Sequence, residues 1–293
     1  MTRFTPFLRL SIPLSLLLSI SINAAPRIGV METALGNRAK LESIYQAKEA
    51  GYSGVQLHTG ELDDKGVLTM SNPKLIENFS AASKAHGVEI VSLCAGSMNR
   101  EPSWEPESRA RAIAIGKQSI DACAALDVPI LLIPFFGKAE FGSDVKSDKL
   151  KAATSVIREL TTYAEIKKIT LGIESNTRKP AIDHILKKID SPNLKVYYDT
   201  GNLLRTGEDI YSVIESWGPQ NVICQMHLKH HGSEFAVFGQ GETDLPRLAR
   251  IIRDSGYNGW FVFEAGQGER TLGIPYAQTN LKGIQRMFAT LEK

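Results

Sequence analysis

Short apolar runs alternate with helical patterns along most of this chain, and that alternation limits the folds available to it. The runs do not alternate strictly between apolar and polar residues, which is the expectation for parallel strands buried on both faces. Several helical stretches end in a glycine that leads straight into the next run, a common sign of a helix C-terminus. The predicted strands cover residues 27–32, 54–58, 89–94, 129–134, 170–174, 195–199, 222–227 and 260–264.

Eight strands separated by helices predict an α/β fold, a (β/α)8 TIM barrel that forms a single domain over residues 26–293. An open, doubly wound sheet would need a glycine-rich phosphate loop after its first strand. The segment METALG at positions 31–36 does not have that pattern, so the barrel is favoured. The clearest helical patterns cover residues 38–50, 73–86, 107–126, 147–167 and 244–255.

The first 25 residues have the features of a cleavable secretory signal peptide. Arg3 and Arg9 precede an apolar stretch at 12–22, and small residues follow it at Ala24 and Ala25. We expect cleavage near Ala24 or Ala25. The apolar stretch is too short, and too interrupted by serine and proline, to act as a stable membrane anchor. The sequence therefore predicts an exported, periplasmic protein.

The charge balance argues against a nucleic-acid partner. The whole chain has 34 basic and 32 acidic residues, and the predicted signal removes two arginines and no acid. A nucleic-acid-binding protein would normally carry a basic surface. The three cysteines suggest no disulfide framework. A small-molecule substrate is the expectation, and the sequence is compatible with a homo-oligomer.

The last four of the predicted strands each end in a carboxylate or an imidazole. Because the carboxyl ends of parallel strands meet at one end of a barrel, we expect these side chains to converge. Three carboxylates and one histidine suit a hard or borderline divalent cation, whereas structural zinc prefers thiolates. We expect one such cation, Mn²⁺ before Mg²⁺ or Co²⁺. The four residues are Glu174, Asp199, His227 and Glu264.

These strand ends resemble those of a known family. The segments GIESN (172–176), YDTGN (198–202), MHLK (226–229) and FE (263–264) look like the metal-binding strand ends of the xylose-isomerase-like TIM-barrel superfamily of sugar isomerases and epimerases. The segment FGQGETDL (238–245) resembles a loop common in that superfamily, and the resemblance covers the whole predicted mature chain. It implies that Glu174 and Glu264 are both metal ligands and catalytic residues, on opposite faces of the substrate.

The chemistry of such a site predicts the reaction class. A divalent cation polarises the carbonyl of an α-hydroxy carbonyl compound and stabilises the enediolate formed when a C–H proton leaves. A base must take that proton and an acid must return one. The sequence thus predicts a metal-dependent sugar isomerase or epimerase that acts on a free sugar or keto-sugar derivative. An unphosphorylated substrate is expected, since phosphorylated sugars are chiefly cytoplasmic.

Other functions remain open at this point. The same base and metal could serve a lyase or dehydratase that expels a β-leaving group from a keto-sugar, a 3-keto-glycoside or an inosose. A barrel that binds sugar without catalysis is another alternative, although a complete ligand set argues against it. The superfamily's apurinic-site endonuclease branch needs a basic DNA face and a histidine-rich, multi-metal site, and neither is indicated here.

Further candidate substrate-binding residues follow the predicted strands at the same end of the barrel. Asn202 is a departure from the family, because related epimerases often place a substrate-binding histidine three residues after the metal-binding aspartate. The hydrogen bonding to the sugar must therefore differ from that of the ketose 3-epimerases. The predicted substrate-binding residues are His58, Asn176, Arg178, Asn202, Lys229 and His230.

Overall fold

Eight parallel strands close into one barrel in the order of the sequence. The computed structural model describes residues 25–229, 238–240, 243–266 and 268–291. Each strand pairs with the next in the sequence, and the last pairs with the first through Arg27–Trp260 and its neighbours. The strands are β1 (Arg27–Met31), β2 (Gly54–His58), β3 (Glu89–Cys94), β4 (Ile130–Phe135), β5 (Thr170–Ser175), β6 (Leu194–Asp199), β7 (Ile223–Lys229) and β8 (Trp260–Glu264).

An α-helix follows each strand, so the predicted (β/α)8 fold is confirmed. Short 3₁₀ turns, such as Glu32–Leu35 after β1, join several strands to the helices that follow. The helices are α1 (Glu42–Glu49), α2 (Pro73–His86), α3 (Pro106–Leu126), α4 (Asp148–Lys167), α5 (Lys179–Ile189), α6 (Ile210–Trp217), α7 (Leu245–Asp254) and α8 (Gly273–Ala289).

The first helix begins later than the pattern from residue 38 predicts, and a buried carboxylate explains why. Glu32, directly after β1, is fully buried. Its carboxylate accepts hydrogen bonds from the backbone N–H of Ala39 (2.7 Å) and from the Ser43 hydroxyl (2.7 Å). Ala39 is held at a φ of 47°, in the left-handed region, so a helix cannot run through it. The helix therefore starts only at Glu42.

The barrel interior is apolar towards the amino ends of the strands and polar towards their carboxyl ends. One apolar cluster inside the barrel includes Val91, Tyr197, Trp260 and Val262, all buried. A larger core lies between the strands and the surrounding helices. Gly172 of β5 makes room for the interior side chains, because a Cβ there would lie 2.9 Å from the Cβ of Tyr197. The polar side chains that lie above this layer form the candidate site.

No helix in the described ranges has an apolar stretch long enough to cross a bilayer. The cysteines Cys94, Cys123 and Cys224 are free thiols.

Candidate metal centre and active site

The four predicted ligand residues converge at the carboxyl end of the barrel. One ligand atom from each lies within 4.8 Å of the others. His227 Nδ1 is 3.0 Å from Glu174 Oε1, 3.3 Å from Glu264 Oε2 and 3.8 Å from Asp199 Oδ2. All four side chains are buried, with His227 wholly inaccessible. An O₃N cluster of this size matches the donor set that the sequence predicts for a divalent cation.

Strand register accounts for this convergence. Asp199 of β6 is paired with His227 of β7, so these two side chains lie side by side on the barrel wall. Successive inward-facing positions of a strand are two residues apart. Gly172, two residues before Glu174, occupies the layer below it, as Tyr197 does below Asp199. The ring of Tyr197 packs on the His227 imidazole with centroids 4.5 Å apart and supports it from below.

Asp199 has one oxygen satisfied by the backbone and one without a partner. Its Oδ1 accepts hydrogen bonds from the N–H groups of Gly201 (2.7 Å) and Asn202 (2.6 Å). Its Oδ2 is buried with no hydrogen-bond partner. Buried carboxylate oxygens are rarely left in that state. The orphaned atom faces His227 Nδ1, so a cation bound between the ligand residues would satisfy it.

The site also perturbs the protonation of its members. Burial would lower the pKa of His227, but the carboxylates of Glu174 and Glu264 outweigh burial and raise it to about 10. Burial raises the pKa of Asp199 to about 7. Burial would also raise the pKa of Glu264, but Lys229 and His227 hold it well below its usual value. The carboxylates therefore favour a positive charge on the imidazole between them, as they would favour a bound metal ion.

Two of the predicted substrate-binding residues, Lys229 and Asn202, lie directly against the ligand residues. Lys229 Nζ is 3.0 Å from Glu264 Oε2 and 3.9 Å from Asp199 Oδ2. The Asn202 amide donates to Glu174 Oε1 at 3.3 Å and accepts from Lys229 Nζ at 3.4 Å. These two residues therefore connect the carboxylates of Glu174 and Glu264 across the site.

The side-chain contacts of His58 and Arg178 are made with residues outside this cluster. His58 is buried against Glu32, with Nδ1 3.4 Å from Glu32 Oε1, and burial lowers its pKa. Arg178 precedes α5, and its guanidinium donates to the carbonyl of Thr206 at 3.0 Å. Asn176 is half-buried just after β5. His230 lies outside the described residues, as do positions 241 and 242 of the predicted loop.

Two polar residues at the site were not predicted from the sequence. Gln56 of β2 is fully buried, and its Oε1 lies 2.9 Å from His227 Nε2. Arg270, in the loop after β8, places Nη2 3.8 Å from Glu264 Oε1, and its Nε is buried without a partner. Gln56 could have been identified from the sequence, because it is a polar residue at an inward-facing position of β2. No comparable sequence signal marks Arg270, because it lies beyond the end of β8, in the 3₁₀ turn Gly268–Leu272.

Comparison with known proteins supports this reading of the fold. A family model for the xylose isomerase-like TIM barrel matches residues 44–287. L-ribulose-5-phosphate 3-epimerase UlaE of Escherichia coli is 24% identical over 250 residues, which cover 81% of this chain and 86% of that protein. Similar proteins thus include a sugar epimerase that aligns along most of the barrel.

Solved structures of sugar epimerases share the architecture. The structure of an L-ribulose 3-epimerase superposes with a TM-score of 0.72 at 14% identity, covering 91% of this chain and 96% of the other. The apo form of 3-keto-D-glucoside 4-epimerase YcjR from E. coli gives a TM-score of 0.66 at 15% identity, covering 91% and 99%. At such identities these likenesses concern the fold, while the family model spans most of the sequence. The chain belongs to the xylose isomerase-like TIM-barrel family.

Proposed function

We propose that this protein is a divalent-metal-dependent sugar isomerase or epimerase that acts on a free sugar or keto-sugar derivative through an enediolate. The observation that carries the proposal is the buried cluster of three carboxylates and one imidazole nitrogen within 4.8 Å. The Oδ2 atom of Asp199 adds to it, because a bound cation would give this buried oxygen the close partner that it lacks. The epimerases among the similar proteins support the reaction class.

The residues present fit a divalent cation. Glu174, Asp199, His227 and Glu264 would hold it, and the absence of thiolates favours Mn²⁺, with Mg²⁺ or Co²⁺ as alternatives. When bound, the cation supplies Lewis-acid polarisation of the substrate carbonyl and compensates the negative charge that develops on its oxygens.

Glu174 and Glu264 would exchange protons with opposite faces of a substrate. They project from β5 and β8, which are separated by β6 and β7 on the shorter path round the barrel. The low pKa of Glu264 keeps this group as a carboxylate near neutral pH, in the form that removes a proton. Glu174, whose Oε1 lies 3.0 Å from His227 Nδ1, would take up a proton from solvent and deliver it to the enediolate. Exchange on opposite faces inverts a stereocentre.

Lys229 and Asn202 would stabilise the negative charge that develops on the substrate during the reaction. Lys229 is mostly buried, and its ammonium group is 3.0 Å from Glu264 Oε2. This ammonium group, next to the proton-accepting carboxylate, could also stabilise negatively charged oxygen atoms of a substrate. Asn202 offers both an amide donor and an acceptor beside Glu174. A side-chain amide of this kind can form hydrogen bonds with sugar hydroxyl groups.

A solvent-exchange assay tests the proposal. The protein is incubated with Mn²⁺ in D₂O and a panel of free ketoses and 3-keto-glycosides, and product masses are measured. We expect one deuterium in a product of otherwise unchanged mass, and a rate loss of about 10²- to 10⁴-fold in Glu174→Gln and in Glu264→Gln. Glu159→Gln is a matched control, because Glu159 pairs with Lys117 on the helical surface.

Each other outcome of the assay has a defined meaning. A product lighter by water or an aglycone would assign the protein to the lyases instead. Full activity in both glutamate variants would contradict the assigned proton-transfer roles. Absence of any exchange with the whole panel, with Mn²⁺ bound, would contradict the proposed substrate class.

A further inference from the structure

A chain of buried hydrogen bonds runs from the backbone of β3 to the ring of His227. Its members are 0–2% exposed, so water does not complete their hydrogen bonding. Such buried polar groups need partners with the correct donor and acceptor roles. The chain passes in order through Val91, Gln225, the hydroxyls of Ser92 and Tyr197, Gln56 and His227.

The first link fixes the orientation of the Gln225 amide. Gln225 Nε2 is 3.2 Å from the carbonyl oxygen of Val91, which can only accept a hydrogen bond. The amide oxygen of Gln225 must therefore point the other way. That oxygen accepts from the hydroxyls of Ser92 and Tyr197, each at 2.6 Å.

The second link fixes the orientation of the Gln56 amide. Each hydroxyl has a single proton, and Ser92 and Tyr197 have both donated theirs to Gln225. Towards Gln56 the two hydroxyls can only accept. Gln56 Nε2 has two protons and lies 3.0 Å from Ser92 Oγ and 2.9 Å from Tyr197 OH, so both are satisfied. Gln56 Oε1 consequently faces His227.

We infer that Gln56 is a positioning residue that fixes the proton of His227 on Nε2 and directs Nδ1 to the cation. Gln56 Oε1 lies 2.9 Å from His227 Nε2 and can only accept, so Nε2 must carry the proton. Nδ1, which lies 3.0 Å from Glu174 Oε1, is then the nitrogen that loses its proton and presents a lone pair when a cation binds. The inference rests on the proposed metal site and deepens it.

The physical consequence concerns metal affinity. The second nitrogen of a metal-binding histidine usually donates to a fixed acceptor, which orients the ring and selects the tautomer. In this protein the acceptor is itself held by two hydroxyls and, through Gln225, by a backbone carbonyl of the barrel wall. Loss of Gln56 would leave the Nε2–H buried without a partner and the ring free to adopt the wrong tautomer.

The test is Mn²⁺ binding measured from the electron paramagnetic resonance signal of the free ion. Gln56→Met, which keeps the volume and removes the amide, should bind Mn²⁺ about 10- to 100-fold more weakly than the wild type. Gln56→Glu retains an acceptor for Nε2–H and should bind more tightly than Gln56→Met. Gln118→Met is the control, because Gln118 bonds the backbone of Leu68 outside the barrel and should leave the affinity unchanged.

A second readout reports the tautomer itself. With ¹⁵N-labelled histidine and saturating Mg²⁺, NMR should show the proton of His227 on Nε2, in a signal that His227→Gln lacks. If Gln56→Met does not fold, Tyr197→Phe removes one of the two hydroxyls that hold Gln56 and should weaken binding to a smaller extent.

The outcomes separate this inference from the proposed function. Wild-type protein that binds no Mn²⁺ would refute the metal site. Wild-type binding with an unchanged affinity in Gln56→Met, or a His227 proton on Nδ1 in the Mg²⁺ complex, would refute the role of Gln56 alone.

Discussion

Lys229 and Glu264 face each other in register across β7 and β8, with Lys229 Nζ 3.0 Å from Glu264 Oε2. Burial alone would lower the pKa of Lys229, but the carboxylates of Glu264 and Asp199 outweigh burial and raise it. Lys229 in turn helps to hold the pKa of Glu264 below its usual value. The pair keeps one of the two proposed proton-transfer groups in its charged form.

Removal of this lysine should change the pH dependence of activity. In Lys229→Met the pKa of Glu264 rises, so its carboxylate becomes protonated at a higher pH. The acidic limb of kcat/KM against pH should therefore move to higher pH. Lys195→Met, a change of a lysine near the other end of β6, is the control. An equal loss of activity at every pH, with the limb unmoved, would contradict this role.

Metal binding should release protons. At neutral pH the metal-free site holds a proton on His227, whose pKa the neighbouring carboxylates raise to about 10 despite burial. Asp199, with a pKa that burial raises to about 7, is partly protonated. A cation needs both groups unprotonated, so Mn²⁺ affinity should rise steeply up to about pH 7 and less steeply from there to about pH 10.

Calorimetry in buffers of different ionisation enthalpy measures that release. We expect between about one and two protons per Mn²⁺ at pH 7. The release should fall in His227→Gln. A binding enthalpy that does not depend on the buffer would show that no proton leaves and would contradict the charge state assigned to the metal-free site.

Gly172 should be intolerant of even a small side chain. A Cβ at this position would lie 2.7 Å from Cys224 Sγ and 2.9 Å from the Cβ of Tyr197, which supports the His227 ring. Gly172→Ala should lower the free energy of unfolding by about 1–3 kcal/mol and weaken Mn²⁺ binding. Chemical denaturation measures the first effect. Adding Cys224→Ala removes one of the two contacts and should restore part of the stability; no loss in the single variant would contradict the packing.

The sequence allowed the fold and the convergence of the four ligand residues to be predicted, because both depend on strand periodicity. Glu174 and Glu264 each end an apolar run, and parallel strands bring such ends together. Gln56 was missed as a contact of the site because its role depends on a partner on β7, far away in the sequence. Arg270 was missed because loop geometry brings it to Glu264. Only the folded chain shows that His58 packs against Glu32.

Export remains a prediction from the N-terminal sequence. Expressed in a Gram-negative host from its own first residue, the protein should appear in the periplasm with a mass that starts near Ala25 or Pro26. Leu17→Arg, which places a charge in the apolar stretch, should block both export and cleavage. An uncleaved chain in the cytoplasm of cells with the unchanged sequence would contradict the prediction and weaken the case for an unphosphorylated substrate.

The most direct test of the metal site is an anomalous diffraction measurement at the manganese edge on crystals grown with Mn²⁺. We predict one strong peak within about 2.0–2.6 Å of His227 Nδ1 and of a carboxylate oxygen from each of Glu174, Asp199 and Glu264. No peak at this position under saturating Mn²⁺, or a peak held by other residues, would contradict it.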